Sequence, residues 1–300
     1  MPLASELVGQ SGPSVTHDID ARWTMAYAAA LGDILPCYVD TRQPAGVVAH
    51  PLFPVCFEWP LIVGGRQLPG DTRLTPAERM RSVHATHDLV IHRPVRPGDR
   101  LTTVPTIVGV ERRKPGAYQV VRLDTTDANG AAVCTTWMGA LYRGVDVDGP
   151  DRPATDAPNT PMMPMTESIA TDAPARTEIR VAIAANLAHV YSECARIWNP
   201  IHTDRAFAAA AGLPDIILHG TATLALAISR IITTEASGDP TRVRRIAARF
   251  GAMVFMPSEI VVRIIARDAG VVRFEVLNSE GRLAVRDGVV VLQGKGEEAC

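Results

Sequence analysis

The tetrapeptide NPIH at positions 199–202 places a histidine directly after an asparagine and a proline. Asn199 is a favoured helix N-cap residue, and Pro200 suits the first turn of a helix because its φ is already fixed. The pattern predicts a helix over 202–213, with Asp204 in its first turn, where a carboxylate complements the helix dipole. His202 then lies at a rigid helix entry, and an imidazole can accept and return a proton near neutral pH.

A second group, HGT at 219–221, opens an apolar stretch that predicts a helix over 220–236. Gly220 has no side chain, so its backbone N–H can approach a ligand closely and stabilise a developing oxyanion at the helix N-terminus. A base and an oxyanion donor together suit chemistry beside a thioester carbonyl. Each residue also has a structural interpretation, with His202 satisfying a loop and Gly220 serving as a packing glycine. The combination favours the functional interpretation.

The elements that must position these residues occur twice along the chain. In each half, helical or apolar segments precede a series of strand-like runs, and DTTDANG (124–130) and LNSEG (277–281) are typical of hairpin turns. The remaining helical segments are 24–34 and the apolar run 50–63. The predicted strands are 86–93, 99–113, 117–130 and 131–144 in the first half, and 242–255, 258–270, 271–281 and 282–295 in the second.

The two halves are separated by residues 146–176, which are rich in Pro, Asp and Thr and have no periodicity. We interpret this stretch as a linker between an N-terminal domain, 1–145, and a C-terminal domain, 177–300. The predicted helix 220–236 is too uniformly hydrophobic to lie on a surface, so we expect a sheet to wrap around it. The fold class is therefore predicted to be α+β, a double hot-dog in which two antiparallel sheets each surround a central helix.

The amino-acid composition is typical of a globular protein and argues against several kinds of partner and site. The hydrophobic content of 47% is sufficient for a large core, and the net charge of −2 gives no support to nucleic-acid or membrane partners. The five cysteines are scattered without a CxxC pair, which argues for reduced thiols, a cytoplasmic location and no metal site. Neither a signal peptide nor an apolar run of transmembrane length is evident.

The segment 199–227 closely resembles the MaoC-like dehydratases, a family that includes the (R)-specific enoyl-CoA hydratases. The family pattern runs approximately G-D-x-N-P-x-H, then a helix, then H-G, and the matching residues are Asn199, Pro200, His202, His219 and Gly220. Residues 27–33, 50–55 and 92–101 resemble landmarks of the degenerate N-terminal domain in two-domain members. The resemblance covers most of residues 15–293.

The resemblance implies a hydro-lyase of fatty acid metabolism that adds water to, or removes it from, an enoyl-CoA or 3-hydroxyacyl-CoA type thioester. In the family, a histidine and an aspartate hold the water, and a backbone N–H polarises the thioester carbonyl. These roles map to His202 and to Gly220, with Asn199 beside them in the motif. The CoA thioester is the substrate, no cofactor is expected, and the protein is a possible homodimer.

The sequence departs from the family pattern at two positions. Ile197 stands where the family has its aspartate, and Arg196 stands where it has glycine. Three explanations follow, in order of preference. Another acid substitutes, either Glu193 or Asp204; or His202 works alone or with the neighbouring asparagine; or the site binds a CoA thioester without converting it.

Further residues around the motif are predicted to bind substrate: Arg196, Trp198, His219 and Thr221. Trp198 could line the acyl pocket. The guanidinium of Arg196 could bind a substrate carboxylate, which would favour a dicarboxylic or branched acyl group, or it could form an ion pair with Glu193.

The first half has no Asn-Pro-x-His and is expected to contribute pocket rather than catalysis. Its three clustered histidines, His84, His87 and His92, lack a completing cysteine or acid, so we do not expect them to bind metal. Two other functions remain open for the whole chain: a non-catalytic acyl-CoA-binding protein and a hot-dog thioesterase.

Overall fold

The computed structural model describes residues 2–63, 74–158 and 177–294. The helices are α1 Ala21–Ala30, α2 Pro36–Val39, α3 Pro54–Val63, α4 Pro76–Arg79, α5 Leu187–Ala195, α6 Arg205–Ala210 and α7 Gly220–Glu235. The strands are β1 Leu3–Ala4, β2 Val15–Asp18, β3 Ser82–Ile91, β4 Arg100–Arg113, β5 Gly116–Thr126, β6 Ala132–Arg143, β7 Val147–Asp148, β8 Thr177–Ile183, β9 Val243–Phe250, β10 Ser258–Asp268, β11 Val271–Leu277 and β12 Leu283–Leu292.

Each half of the chain forms five antiparallel strands in the same order. The N-terminal order is β2-β4-β5-β6-β3, and the C-terminal order is β8-β10-β11-β12-β9. By order of appearance, both run first, third, fourth, fifth, second. A central helix, α3 or α7, lies in the chain between the first and second strands of its half. The internal repeat predicted from the sequence is confirmed.

The two predicted hairpin turns share the same hydrogen bonds. Asp127 Oδ1 accepts from the backbone N–H groups two and four residues later, at 2.9 and 3.1 Å. Asn278 Oδ1 does the same at 3.0 Å for both bonds. Gly130 and Gly281 follow with φ of 80° and 72°, a left-handed conformation that favours glycine. The local sequence thus sets the β5–β6 and β11–β12 hairpins independently.

Helix α7 is the centre of the C-terminal half. It packs against β9, β11 and β12. Its side chains are buried around the whole circumference, as the apolar sequence predicts: Ala222, Leu224, Ala225, Leu226, Ala227, Ile228, Ile231 and Ile232. Truncating one of the larger side chains would cost about 2–5 kcal/mol of folding free energy. A sheet packed on a buried central helix is the hot-dog arrangement, and the chain has the double hot-dog, α+β fold.

Helix α3 has the corresponding place in the N-terminal half. Leu61 belongs to a core that includes Ile107 on β4 and Leu123 on β5. Glu58, also on α3, accepts a hydrogen bond of 2.6 Å from the Thr136 hydroxyl on β6. This helix therefore joins the N-terminal core through Leu61, with Ile62 also packed against it, and through one buried carboxyl group.

The compact units of the structure differ from the domain boundaries proposed from sequence. Residues 19–56 and 94–99 group with the C-terminal half rather than with the rest of 1–145. The reason is packing: α1 lies against α5, and the rings of Tyr27 and Tyr191 have centroids 5.7 Å apart. The sequence pattern around α1 contains nothing that specifies this distant partner.

The proposed linker 146–176 also needs correction over its described part, 146–158. Strand β7 pairs in parallel with β1, and Arg152 forms a β-bridge with Val110. Asp156 accepts a hydrogen bond of 3.1 Å from the indole of Trp137. These contacts attach the segment to the N-terminal unit. The sequence did not reveal them, because short β-bridges need no sequence periodicity. The rest of the proposed linker, 159–176, lies outside the described residues.

None of the described helices combines the length and the apolar character that crossing a bilayer would require.

Candidate active site

His202 ends a single turn of 3-10 helix, Pro200–His202. Asn199 caps this turn, since its Oδ1 accepts from the backbone N–H of Ile201 at 3.3 Å. The predicted continuous helix over 202–213 is wrong at its start. Asp204 begins a new helix, α6, by accepting from the N–H of Phe207 at 3.0 Å. Two caps five residues apart favour two short helical segments over one long helix.

The tautomer of His202 follows from its one hydrogen bond. Nδ1 lies 2.8 Å from the carbonyl oxygen of Ile217, which a β-bridge to Phe255 holds in place. A carbonyl oxygen only accepts, so Nδ1 carries the proton and Nε2 carries a lone pair. Burial lowers the pKa of His202 to about 4, so the ring is neutral at neutral pH. Nε2 has no hydrogen-bond partner among the described residues and is available as a base.

His219 stacks on His202. The ring centroids are 3.6 Å apart and the planes are inclined by 26°. Nε2 of His219 is 3.2 Å from the Ser192 hydroxyl on α5. Burial, together with the neighbouring His202, lowers the pKa of His219 well below its usual value. Both stacked rings are therefore neutral, and His219 fixes the face of His202 that it covers.

Gly220 is the first residue of α7 and is exposed, although His219 and Thr221 on either side are buried. No side chain caps this helix N-terminus. A Cβ atom at position 220 would lie 3.0 Å from the Phe250 ring, so glycine leaves room for a close approach. The helix thus presents an uncapped first turn, which can donate backbone hydrogen bonds to an anionic oxygen.

Ile197 and Arg196 form the end of α5. The N–H of Ile197 donates to the Ser192 carbonyl at 2.9 Å, and Arg196 has a left-handed φ of 58°. This is the Schellman arrangement, in which glycine is the usual residue at the left-handed position. The Ile197 side chain is 2% exposed. Position 197 is therefore an apolar, buried position, and it offers no group that can hold a proton.

The acids proposed as substitutes lie elsewhere. Asp204 is exposed, and its carboxylate caps α6. Glu193 is exposed on α5. Within the described part of the chain, neither carboxylate forms a hydrogen bond or ion pair with His202.

Arg196 is exposed, and its guanidinium lies over the ring of Trp23 at 3.9 Å from the centroid. An ion pair with Glu193, one interpretation of the sequence, is absent from the described contacts. Trp198 is 59% exposed, so its predicted role in an acyl pocket stays a prediction.

A chain of three hydroxyl groups approaches the same helix end. The Tyr191 hydroxyl on α5 donates to Thr221 Oγ1 at 3.2 Å, and the Tyr27 hydroxyl on α1 is 3.4 Å from that of Tyr191. The ring of Tyr191 also contacts that of His219, with centroids 4.9 Å apart. The sequence gives no signal that joins Tyr27 to Tyr191, because 164 positions separate the two tyrosines.

The histidines of the N-terminal half have a different environment. His84 and His87 are in ring contact, with centroids 5.5 Å apart, and burial lowers both pKa values, to about 4 and about 3. His92 lies 3.1 Å from the Thr135 hydroxyl. Across the described ranges, no group of three His, Cys, Asp or Glu side chains is arranged to hold a metal ion.

Comparison with known families agrees with this geometry. Residues 167–287, which contain every residue of the NPIH and HGT motifs, match the family model described as a MaoC like domain. The C-terminal half of the chain therefore contains a MaoC-like domain. Residues 6–136 match the dehydratase domain region of FAS1-like proteins. Both halves of the chain thus resemble dehydratase domains, although the NPIH motif occurs in the second half alone.

Two curated relatives match most of the chain. Enoyl-CoA hydratase 2, peroxisomal, of Arabidopsis thaliana is 26% identical over 250 residues, covering 81% of this chain and 77% of that protein. 3-Hydroxyacyl-thioester dehydratase Y of Mycobacterium tuberculosis is 28% identical over 218 residues, covering 69% of this chain and 71% of its own length.

The fold agrees with solved structures. A MaoC-like dehydratase from Phytophthora capsici superposes with a TM-score of 0.79 at 21% identity, covering 96% of this chain and 97% of the other. A Mycobacterium tuberculosis protein described as having a double hotdog fold gives a TM-score of 0.57 at 17% identity, covering 97% and 92%.

Proposed function

We propose that the protein is a hydratase/dehydratase, a hydro-lyase that interconverts an enoyl-CoA and a 3-hydroxyacyl-CoA type thioester. The observation that carries the proposal is the geometry of the MaoC-like half. Nδ1 of the neutral His202 donates to the Ile217 carbonyl, and Nε2 has no hydrogen-bond partner among the described residues. The ring stacks on His219, which directly precedes the uncapped start of α7. A base and an oxyanion donor are the two groups that hydration beside a thioester needs.

The proposed reaction begins with a water molecule that donates a hydrogen bond to Nε2 of His202. Its oxygen adds to Cβ of the enoyl group while Nε2 takes its proton. The electron pair of the double bond moves to the thioester oxygen, and the Gly220 N–H stabilises the enolate that results. The imidazolium then returns the same proton to Cα, which regenerates neutral His202. Dehydration follows these steps in reverse, and one histidine suffices for both proton transfers.

The experiment that tests this function is turnover of crotonyl-CoA, followed by the loss of absorbance of its conjugated double bond. The wild-type protein should hydrate it, and His202→Asn should not. A parallel assay for free thiol distinguishes a thioesterase, because hydrolysis releases CoA and hydration does not. Binding of crotonyl-CoA without any turnover would contradict the proposal and indicate a non-catalytic acyl-CoA-binding protein.

We further propose that the acyl group is branched or dicarboxylic, and that Arg196 recognises the distal carboxylate. The proposal is supported by the exposed guanidinium, which has no carboxylate partner within the described ranges and lies over the Trp23 ring, 3.9 Å from its centroid. Arg196→Ala should then reduce turnover of a dicarboxylic enoyl-CoA more than turnover of crotonyl-CoA. Equal loss on both substrates would contradict this assignment.

The remaining features of the proposed enzyme concern its surroundings. We propose that it needs no cofactor besides the CoA thioester substrate, and that it acts in the cytoplasm, where the free thiols of Cys37, Cys56, Cys134 and Cys194 would stay reduced. A homodimer stays a prediction, which sedimentation analysis of the purified chain would test.

A further inference from the structure

Ile197 leaves the site without the second polar group that the family motif supplies. Its side chain is apolar and 2% exposed, and the candidate acids Glu193 and Asp204 are exposed, the latter as the cap of α6. The groups that remain near the start of α7 are the stacked histidines and the hydroxyl chain of Tyr27, Tyr191 and Thr221. The role of these three hydroxyl groups depends on which of them donates each hydrogen bond and which accepts it.

The direction of the hydroxyl chain follows from counting protons. Each hydroxyl has one proton to donate. The proton of Tyr191 goes to Thr221 Oγ1, so the contact of 3.4 Å between the tyrosine hydroxyls is donated by Tyr27. All three residues are buried, and burial raises the pKa of both tyrosines, which keeps them protonated. The chain therefore runs from Tyr27 through Tyr191 to Thr221, and ends on the proton of Thr221.

That last proton has no acceptor within the described part of the chain. The other threonines of α7 donate to the carbonyl four residues earlier: Thr223 to His219, Thr233 to Ser229 and Thr234 to Arg230. For Thr221 the corresponding carbonyl belongs to Ile217, and this oxygen already accepts from Nδ1 of His202. The Ile217 carbonyl thus accepts the bond that fixes the His202 tautomer, and among the described hydrogen bonds it accepts none from the Thr221 hydroxyl.

We propose that the Thr221 hydroxyl is a catalytic hydrogen-bond donor to the thioester oxygen of the substrate, and that Tyr191 and Tyr27 are the residues that position it. This inference rests on the proposed hydratase function. Thr221 directly follows Gly220, so its hydroxyl and the Gly220 N–H belong to the same uncapped helix end. The proton stays on Thr221 throughout, and the hydrogen bond strengthens as negative charge develops on the enolate oxygen.

The hydroxyl chain also accounts for the role that Ile197 cannot fill. Hydration at this site needs one group that moves a proton and enough donors to stabilise the enolate. His202 moves the proton, and the Gly220 N–H and Thr221 hydroxyl provide two donors. A carboxylate at 197 is then dispensable, since no step requires a second group to change its protonation state.

The test is a double-mutant cycle measured with crotonyl-CoA. Thr221→Val, a substitution of equal shape, should lower kcat by about 100-fold with little change in KM, since an oxyanion donor acts mainly in the transition state. Tyr191→Phe should lower kcat by about tenfold, because Thr221 keeps its hydroxyl but loses the bond that orients it. In the Thr221→Val background, Tyr191→Phe should have no further effect on kcat.

Two further variants separate catalysis from folding. Thr221→Ser restores the hydroxyl and should recover most of kcat. Thr233→Val removes a hydroxyl from the same helix that donates to a backbone carbonyl, and it should leave kcat unchanged. Tm is measured for each variant, and Thr221→Ala replaces Thr221→Val if the latter does not fold.

Two results would overturn the inference: an unchanged kcat in Thr221→Val, or an equal effect of Tyr191→Phe with and without the Thr221 hydroxyl. Both differ from failure of the hydratase function itself. In that case wild-type protein would not hydrate crotonyl-CoA, and no variant could be compared with it.

Discussion

The central helices α3 and α7 have the same place in the repeated strand order, but they begin with residues of opposite character. Helix α7 starts at Gly220, which keeps its backbone N–H and leaves a close approach open. Helix α3 starts at Pro54, which has no N–H to donate. One repeat unit can therefore offer an oxyanion donor at the first position of its central helix, and the other cannot.

The two halves also differ in their buried titratable groups. Glu58 on α3 is 0% exposed; one carboxyl oxygen accepts from Thr136 and the other has no hydrogen-bond partner among the described residues. Burial raises the pKa of Glu58 to about 8. In the other half, burial lowers the pKa of His202 instead. Gly220, which follows the stacked His219, is exposed at the start of α7. The comparison teaches that fold position alone does not make a site; the residues at the helix start decide it.

The largest expected effect comes from removing the proton carrier. His202→Asn keeps a polar side chain but cannot exchange a proton, and we expect kcat for crotonyl-CoA hydration to fall by about 1,000-fold or more. The control in the other half is His92→Asn, where the imidazole lies within hydrogen-bond distance of the Thr135 hydroxyl. Equal losses in both variants would end the distinction between the halves.

The next largest loss of kcat is expected when Gly220, the first residue of α7, is replaced by proline, the residue type that begins α3. Gly220→Pro removes the N–H and adds a side chain against Phe250, whereas Gly220→Ala adds Cβ and keeps the N–H. The proline variant should have a kcat about 100-fold below that of the alanine variant, the loss expected for one oxyanion donor. Matching kcat values in these two variants would show that the loss is steric and that the N–H has no role.

Much of this comparison could be predicted from sequence, because it depends on local patterns. The hairpin turns at Asp127 and Asn278, the apolar helix α7 and the NPIH motif are each specified by neighbouring residues. The split of the 202–213 helix was not predicted, although Asp204 is itself a cap residue. Both capping signals are used in the structure, Asn199 for the 3-10 turn and Asp204 for α6, and the prediction of one continuous helix allowed for only the first.

The parts that could not be predicted depend on contacts between distant residues. The hydroxyls of Tyr27 and Tyr191 are in contact although 164 positions separate the residues. Arg196 lies over the Trp23 ring because α1 packs on α5. The bond from His202 to the Ile217 carbonyl also requires the bridge between Ile217 and Phe255. These contacts set the tautomer and the donor direction, so the motif identifies the base but not its electrostatics.

Glu58→Gln tests the buried carboxyl of the N-terminal half through stability. The folded pKa of Glu58 is raised above its unfolded value, so its favourable contribution is present below about pH 4.5 and is lost as pH rises to about 8. Glutamine does not ionise, and the variant should be more stable than wild type by about 4 kcal/mol near pH 8 and by nearly nothing near pH 4. Denaturant unfolding at both pH values measures this, with the exposed Glu193→Gln as control. A pH-independent difference would mean that Glu58 ionises normally.

The smallest effect concerns the left-handed residues. Among described residues outside glycine, positive φ occurs at Arg196, Ser237, Ala269 and Asp287, all in the C-terminal half. Arg196→Gly should be about 1 kcal/mol more stable than Arg196→Ala, because both lose the contact with Trp23 but only alanine retains the strain. Equal Tm values for the two variants would contradict a strained end of α5.

The central claim is that one neutral imidazole moves the proton and that no carboxylate takes part. The direct measurement is kcat/KM for crotonyl-CoA hydration between about pH 4 and about pH 9, with circular dichroism used to confirm folding at each pH. His202 must be neutral to act, burial also holds the pKa of its neighbour His219 well below the usual value, and the buried tyrosines keep their protons. The rate should therefore rise through a single ionisation near pH 4 and stay level above it. A bell-shaped profile, with the rate falling above neutral pH, would contradict the claim by showing that a second, protonated group is required.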